Sequence, residues 1–290
     1  MSDELLMDLA DCGSPEKIIA AILKHHPLLE PPIPIRELAE AVGIIKFEEL
    51  SSDGFEGALV TDANKQRGAI LYRGDRPPGR QRFTIAHELG HFLIPSHMGS
   101  RQCTPQDMRE TGLSDPPRRM EAEANRFAAG ILMPKPLFAK DLQRLGDVDV
   151  SHAQTLARLY DTSLEATINR YRDVTDDTCA FVFSKAGVIR YVRATEDFPH
   201  ISVWAKDQVP ASALSARLRL STSRDPSTWE QIDASVWLSP SRSRLPPHIL
   251  EQTLVQDEGY QVTLLVVDPD TIGEDDEEGE NLVDRFGLDA

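Results

Sequence analysis

The sequence predicts an α+β protein, with helices and strands mixed in its N-terminal part and a strand-rich C-terminal part. Helical spacing of apolar residues dominates up to about residue 175 and is interrupted by strand-like runs between residues 43 and 74. After residue 176, short apolar runs alternate with turn residues, which is typical of strands. The stretch "DVTDDT" between these two patterns is therefore the best domain boundary in the 290-residue chain.

Two short helices and three strands are predicted first. In "SPEKIIAAILKHH", Ser14 suits an N-cap, Pro15 suits the first turn, and apolar residues recur at helical spacing. "PIPIRELAEAVGI" predicts a second helix that ends at Gly43. The runs "GIIKFEEL", "FEGALV" and "GAILYRG", separated by turn residues, predict strands.

Two longer helices are predicted next, with a loop between them. "PPGRQRFTIAHELGHFLIP" predicts a helix from about Arg80 to Leu93, because prolines stand before and after it. A polar, proline-containing loop is expected over about 96–117. "RRMEAEANRFAAGILMP" then predicts a helix that stops at Pro134.

The chain from about residue 136 to 174 is expected to be helical. "DVSHAQTLARLYDTSLEATINRY" predicts two helices joined by a short turn, with Ser163 as a cap, which is the shape of a helix-turn-helix. We interpret it as a structural helical hairpin, because its second helix has few basic residues. Further on, "CAFVFSKAGVIRYVRA" predicts a hairpin turning at Ala186 and Gly187, "ASVWL" and "YQVTLLVVD" predict strands, and "PASALSARL" predicts a short helix.

The charge of the chain is strongly acidic. The formal net charge is -16, and from Asp268 onward ten acids stand against one arginine, which leaves -7 for the rest. The run "EDDEEGE" predicts a solvated acidic tail. Non-specific binding to nucleic acid phosphates is therefore not expected, and a basic partner fits better.

Cysteine usage and hydropathy indicate the compartment. Cys12, Cys103 and Cys179 are far apart and form no CxxC pair, which disfavours both a disulfide framework and a cysteine zinc site. No apolar run approaches the roughly 20 residues that cross a membrane, and the acidic N-terminus is unlike a secretory signal. We expect reduced thiols in a cytoplasmic protein with no membrane contact. Nothing in the sequence indicates its oligomeric state.

The stretch "AHELGHFLIPSH" has the residue spacing of a metal site. Each residue of a helix advances by about 100°, so His87 and His91 lie about 40° apart on one face and one turn apart. Both imidazoles can therefore reach one ion at about 2.0–2.1 Å. Glu88, about 60° from His91 on the helical wheel, is offset enough to serve as a base instead of a ligand. This arrangement predicts a zinc site.

A catalytic zinc site needs a third protein ligand, and two residues compete for that role. His97 follows His91 at metzincin spacing, but that motif needs a glycine where Ile94 stands. Glu121, on the next predicted helix, would complete a His₂Glu set, and we favour it. His97 is otherwise expected to be a loop histidine.

Two further residues flank Glu121 in "EAEANRF". Asn125 lies one turn after Glu121 and can hydrogen-bond a metal-binding side chain at an atom that does not contact the metal. Glu123 lies about 200° from Glu121 on the helical wheel, so we expect it to face away.

These motifs resemble those of the ImmA/IrrE-type zinc metallo-endopeptidases. The resemblance rests on "GRQRFTIAHELGHFLI" followed by "EAEANRFAAGILMP", with similarity also in "GFEGALV" and "LARLYDTSLEATINRY", and covers about residues 15–175. It implies a zincin-like peptidase domain over 1–135 with a helical extension over 136–175. It also implies Zn²⁺ held by His87, His91 and Glu121, with Glu88 as the catalytic base.

The resemblance also implies a substrate and a role. Members typically cleave a helix-turn-helix repressor and so relieve transcription in stress responses or mobile-element control, which implies an XRE-type repressor as partner. Some members carry a GAF-like sensor domain, and the strand-rich region 176–268 would correspond to it, although no diagnostic motif occurs there. The acidic tail then covers 269–290.

The residues leave some alternatives open. The oxyanion of the reaction needs stabilisation besides the metal, and His97, Tyr72 and Arg82 are the candidates. A second hypothesis is a non-catalytic regulatory binding protein with a structural or vestigial zinc site. We favour the enzyme, because a purely structural site does not require a base beside the ligands. Direct DNA binding through residues 149–172 is disfavoured by the net charge.

Overall fold

The computed structural model describes residues 3–51, 53–239 and 246–268. It divides into two compact units, Met1–Lys140 with Leu156–Thr167 and Asp141–Thr155 with Ile168–Ala290. The helical segment expected over 136–175 thus contributes residues to both units. The acidic tail expected over 269–290 lies outside the described residues.

The architecture is α+β, as predicted. The helices are α1 (Asp3–Ala10), α2 (Pro15–His25), α3 (Ile35–Val42), α4 (Pro78–Leu93), α5 (Pro116–Leu132), α6 (Lys135–Gln143), α7 (Val150–Tyr160), α8 (Leu164–Arg172) and α9 (Leu214–Arg217). The strands are β1 (Ile44–Leu50), β2 (Gly57–Thr61), β3 (Gly68–Arg73), β4 (Arg101–Cys103), β5 (Cys179–Lys185), β6 (Val188–Ala194), β7 (Glu230–Asp233), β8 (His248–Val255) and β9 (Tyr260–Val266). Among the described residues, no helix combines the length and apolarity that a membrane crossing requires.

The caps predicted for the first helices are present. The Ser14 hydroxyl accepts a hydrogen bond from the backbone N–H of Lys17 at 3.4 Å, at the start of α2. Gly43, with φ of 121°, ends α3 and leads into β1. The Ser163 hydroxyl accepts from the backbone N–H of Ala166 at 3.2 Å and caps α8. The local sequence therefore fixes where these helices begin and end.

The sheet of the first unit has the strand order β1-β3-β2-β4. β1 and β3 are parallel, whereas β2 is antiparallel to both β3 and β4. Its core is formed by apolar residues of α2, α3, α4, α5 and the sheet, including Ile18, Ile22, Leu38, Leu59, Ile70, Leu89, Phe127 and Ile131. This core holds α4 and α5 in place, and both helices carry predicted site residues.

The prediction of a loop over 96–117 was wrong in part. It contains β4 and a 3-10 turn at Asp107–Arg109. β4 has only three residues, so no alternation of apolar and polar residues could be recognised in it. Its pairing with β2, which joins Gly57 to Cys103, defines it as a strand. This strand matters because two of its side chains reach the candidate metal site described below.

The sheet of the second unit is antiparallel, with the order β6-β5-β9-β8-β7. The predicted hairpin turns at Ala186 and Gly187, whose φ angles are 52° and 82°. The strand predicted at "ASVWL" is wrong. Residues Ala234–Val236 form a 3-10 turn, capped by the Asp233 carboxylate, which accepts from the backbone N–H of Ser235 at 2.8 Å. The edge strand β7 ends where this turn begins, and the buried strand β8 was not predicted.

Candidate metal site

Helix α4 places two histidine rings one above the other. The Nε2 atoms of His87 and His91 lie 3.0 Å apart, and their ring centroids are separated by 4.7 Å. Both side chains are buried, with relative exposures of 0% and 1%. The one-turn spacing of the two residues therefore produces the shared direction that the sequence predicted.

Helix α5 brings a carboxylate to the same point. Its start is fixed by Asp115, whose side chain accepts from the backbone N–H of Arg118 at 3.0 Å. One turn into the helix, the Oε2 atom of Glu121 lies 3.2 Å from Nε2 of His87 and 3.3 Å from Nε2 of His91. The two predicted histidines and the predicted glutamate are thus brought together.

The glycine of the "HELGH" motif permits this approach of the two helices. A Cβ atom at Gly90 would lie 3.0 Å from a ring carbon of Phe127 and 3.3 Å from the Cα of Ala124, both on α5. A side chain larger than hydrogen would therefore push α5 away from α4. The carboxylate of Glu121 would move away from the imidazoles with it.

A fourth donor, which the sequence analysis missed, comes from β4. The Sγ atom of Cys103 lies 3.7 Å from Nε2 of His91 and 3.9 Å from Oε2 of Glu121. Ligand atoms of all four side chains lie within 4.8 Å of one another. The expectation that no cysteine takes part in a metal site was based on the absence of a CxxC pair, whereas the tertiary structure brings the Cys103 thiol next to the three predicted donors.

The four donor atoms fit a tetrahedral metal ion. With metal–nitrogen bonds of 2.0–2.1 Å and a metal–sulfur bond of 2.3 Å, a tetrahedron has edges of about 3.3 Å between two nitrogens and about 3.6 Å between nitrogen and sulfur. The two imidazole nitrogens lie 3.0 Å apart, sulfur and carboxylate oxygen lie 3.9 Å apart, and all four donor atoms lie within 4.8 Å of one another. Small shifts of side chains would complete the geometry.

Asn125 fixes the orientation of the first ring. Its Nδ2 group donates to the backbone carbonyls of Asp107 at 2.8 Å and Glu110 at 3.0 Å, so its Oδ1 must face the ring of His87, 2.9 Å from Nδ1. His87 therefore carries its proton on Nδ1 and turns the lone pair of Nε2 toward the cluster. This is the hydrogen bond that the sequence predicted for Asn125.

Two residues outside the cluster fix the second ring. Glu123 accepts a hydrogen bond from Nε2 of His97 at 3.0 Å, which leaves Nδ1 of His97 to accept from Nδ1 of His91 at 2.9 Å. The Nε2 lone pair of His91 therefore faces the cluster. His97 is not a ligand candidate in this arrangement, because it contacts the opposite nitrogen of His91, and it is buried instead of lying in an exposed loop. Glu123, expected to face away, reaches the site through His97.

The electrostatics keep these groups in the protonation states that a metal ion needs. Burial lowers the pKa of His91 to about 3 and also lowers that of His97, so both rings are neutral near pH 7. Although burial opposes ionisation, the adjacent imidazoles of His87 and His91 hold the pKa of Glu121 well below its usual range. Arg101, on the same face of β4 as Cys103, pairs with the second oxygen of Glu121 at 3.2 Å.

The glutamate of the motif lies beside the cluster. Glu88 is fully buried, neither of its carboxylate oxygens makes a hydrogen bond of regular geometry among the described residues, and the Cys103 thiol lies close enough to interact with it. Burial raises its pKa to about 7. A Cβ atom at Gly57 would lie 2.5 Å from Oε1 of Glu88, so the glycine of β2 leaves room for the carboxylate.

The other groups considered for oxyanion stabilisation are engaged elsewhere. The hydroxyl of Tyr72 donates to Glu49 at 2.8 Å and accepts from Arg36 at 2.5 Å. Arg82 donates to the carbonyl of Ile33 at 2.7 Å and pairs with Asp161 at 3.3 Å. His97 is held between His91 and Glu123, whereas Nε of Arg82 makes no hydrogen bond among the described residues, so Arg82 remains a candidate.

The comparison with protein families agrees with the geometry. Residues 42–172 match the family model Peptidase_M78, described as the IrrE N-terminal-like domain. That segment contains the four clustered side chains and Glu88. This segment carries an IrrE N-terminal-like domain. This IrrE-like domain therefore contains a cluster of side chains that could hold a metal ion.

Individual similar proteins cover different parts of the chain. The Radiation response metalloprotease IrrE of Deinococcus radiodurans is 32% identical over 94 residues, which are 32% of this chain and 27% of that protein. The match thus spans about a quarter of the length of this curated relative. Among solved structures, a Mycobacterium tuberculosis transcriptional regulator is similar with a TM-score of 0.49 and 13% identity, over 87% of this chain and 75% of that one.

Proposed function

We propose that this protein is a zinc-dependent endopeptidase, with His87, His91 and Glu121 as metal ligands and Glu88 as general base. The observation that carries the proposal is the buried carboxylate of Glu88, which makes no hydrogen bond of regular geometry, next to the donor cluster. A buried carboxylate without a regular hydrogen bond costs folding free energy, so its position needs a chemical reason. A base with a pKa of about 7 suits proton transfer at neutral pH.

The donor set favours zinc over other ions. Two imidazoles and a carboxylate are the protein ligands of a common class of catalytic zinc sites. Magnesium and calcium prefer oxygen ligands and octahedral or larger shells, which two imidazole nitrogens do not supply. The short separations between the donor atoms also support a small tetrahedral ion.

In the mechanism, each residue has a separate task. Zinc held by His87, His91 and Glu121 would act as a Lewis acid toward the scissile carbonyl and bring the pKa of water near neutrality. Glu88 accepts a proton from the attacking water and passes it to the leaving amine nitrogen. Asn125 keeps the ring of His87 in the tautomer that can bind the ion.

The substrate that we propose is an XRE-type helix-turn-helix repressor in the cytoplasm. The resemblance to the ImmA/IrrE-type peptidases supports this choice, because members typically cleave such repressors in stress responses or mobile-element control. A net charge of -16 adds support, because an acidic protein attracts a basic DNA-binding substrate. The strand-rich C-terminal region would then be the sensory, GAF-like part that receives the signal.

The test is a cleavage assay with a conservative variant of the base. We expect zinc-loaded Glu88→Gln to keep its metal, measured by mass spectrometry of the bound ion, and to lose cleavage of a co-expressed XRE-type repressor. The matched control is Glu40→Gln, which changes an exposed glutamate of α3 and should cleave normally. Full proteolysis by Glu88→Gln would exclude Glu88 as the base.

One observation favours a second candidate, a regulatory binding protein with a structural or vestigial zinc site. Cys103 supplies a possible fourth donor, and structural zinc sites have four protein ligands and no open position. This candidate predicts that Glu88→Gln binds zinc and leaves the cellular phenotype intact. The enzyme hypothesis predicts that the phenotype is lost with cleavage.

A further inference from the structure

The surroundings of Cys103 are unusual for a buried cysteine. A buried free cysteine normally behaves as a small apolar side chain. The Cys103 thiol is instead surrounded by polar groups, with the imidazole of His91 at 3.7 Å and the carboxylate of Glu121 at 3.9 Å. Its side chain has no exposed surface. Apolar packing therefore does not explain its position.

The backbone register places this thiol on the side of the cluster where the base lies. Cys103 of β4 pairs directly with Gly57 of β2. Gly57 in turn is the residue whose missing side chain leaves space for Glu88, since a Cβ there would lie 2.5 Å from Oε1. A catalytic zinc site keeps its fourth position open, and the base must face that position. Here the Cys103 thiol approaches both the donor cluster and Glu88.

We propose that the Cys103 thiolate is a fourth protein ligand that closes the metal site in the resting protein, so that hydrolysis begins only after the thiol has left. Binding of the metal by the Cys103 thiolate does not depend on the proposed peptidase function. The block on hydrolysis that this ligand imposes, which we call latency, rests on that function. The strand that carries the thiol is suited to move, because β4 has three residues and pairs with β2 on one side only. Short edge strands belong to the parts of a fold that open most easily.

The thiol ligand is tested by the visible and ultraviolet spectrum of the full chain loaded with Co²⁺. Wild type should show the thiolate-to-cobalt charge-transfer band. Cys103→Ala should lose this band, whereas the matched control Cys179→Ala, which also changes a fully buried cysteine, should keep it. A wild-type spectrum without the band overturns the proposal, and this result does not depend on the folding of any variant.

The closure is tested with acetohydroxamate, a small metal chelator, on the same cobalt proteins. If the thiol occupies the fourth position more than nine-tenths of the time, the apparent affinity of wild type for the probe is lowered about tenfold or more relative to Cys103→Ala. Cys103→Ser, a second variant of nearly the same size, should bind the probe more tightly than wild type as well. Equal affinities of wild type and both variants would overturn the closure.

Cleavage distinguishes this proposal from the proposed function. We expect zinc-loaded Cys103→Ala to cleave the repressor about tenfold faster than wild type, or more, by the same population argument. Faster cleavage supports latency, and an unchanged rate in a protein that has lost the cobalt–thiolate band overturns it. If no variant cleaves while the band and the probe behave as expected, the closed thiolate site stands and the peptidase function fails.

Discussion

The most direct physical test of the site concerns the charge of Glu88 in the metal-free protein. Its carboxylate is fully buried and makes no hydrogen bond of regular geometry, and burial raises its pKa from the ordinary value of 4.5 to about 7. Below pH 4.5 the carboxyl group is protonated in both the folded and the unfolded chain. Between pH 4.5 and about pH 7 the folded protein keeps a proton that the unfolded chain releases, so the free energy of unfolding falls as the pH rises.

The size of this effect follows from the two pKa values. Each unit of difference corresponds to about 1.36 kcal/mol, so the full loss of stability above pH 7 is about 3 kcal/mol. Between pH 5 and pH 8 the loss is about 2–3 kcal/mol, because part of it has already occurred at pH 5. Glu88→Gln has no charge to bury and should not show this loss.

The assay compares the pH profiles of wild type and variant. EDTA-treated wild type, Glu88→Gln and the control Glu40→Gln are unfolded with urea at pH 5 and pH 8 and followed by circular dichroism of the helices. The wild type should lose about 2–3 kcal/mol relative to Glu88→Gln over this interval, and the exposed Glu40→Gln should follow wild type. Parallel profiles for wild type and Glu88→Gln would refute the argument that this carboxylate is buried without compensation.

Two further variants test how the base and the metal ligands are positioned. Gly57→Ala should lower cleavage at least tenfold and cost about 1–3 kcal/mol of stability, because its Cβ would lie 2.5 Å from Oε1 of Glu88. Gly13→Ala, whose Cβ would meet nothing within 4 Å, is the control, and equal activity of the two variants would contradict the steric argument. Glu123→Gln should weaken zinc binding about 10–100-fold in a chelator competition, because His97 loses the carboxylate that orients it. Unchanged zinc affinity would mean that this orientation contributes nothing.

Local sequence determined much of the fold and part of the site. Caps and turn residues such as Ser14 and Gly43 set the ends of helices, because their hydrogen bonds and φ angles are local. The one-turn spacing of His87 and His91 fixed their shared direction for the same reason, since it depends on the helix alone. The prediction of a strand at "ASVWL" was wrong, because this apolar run begins with a 3-10 turn that the Asp233 side chain caps.

Only the tertiary structure decided which donors from other elements reach the histidines. Glu121 could be chosen by motif, but its place depends on the close packing that Gly90 permits between α4 and α5. Cys103 carried no local signal, because strand pairing of β4 places its thiol. The spacing of His97 from His91 drew attention to it as a ligand, but ring-to-ring hydrogen bonding places its imidazole behind His91 instead. Spacing along one helix is a property of the chain, whereas distances between separate elements follow from how their cores pack, and no pattern within a single segment encodes them.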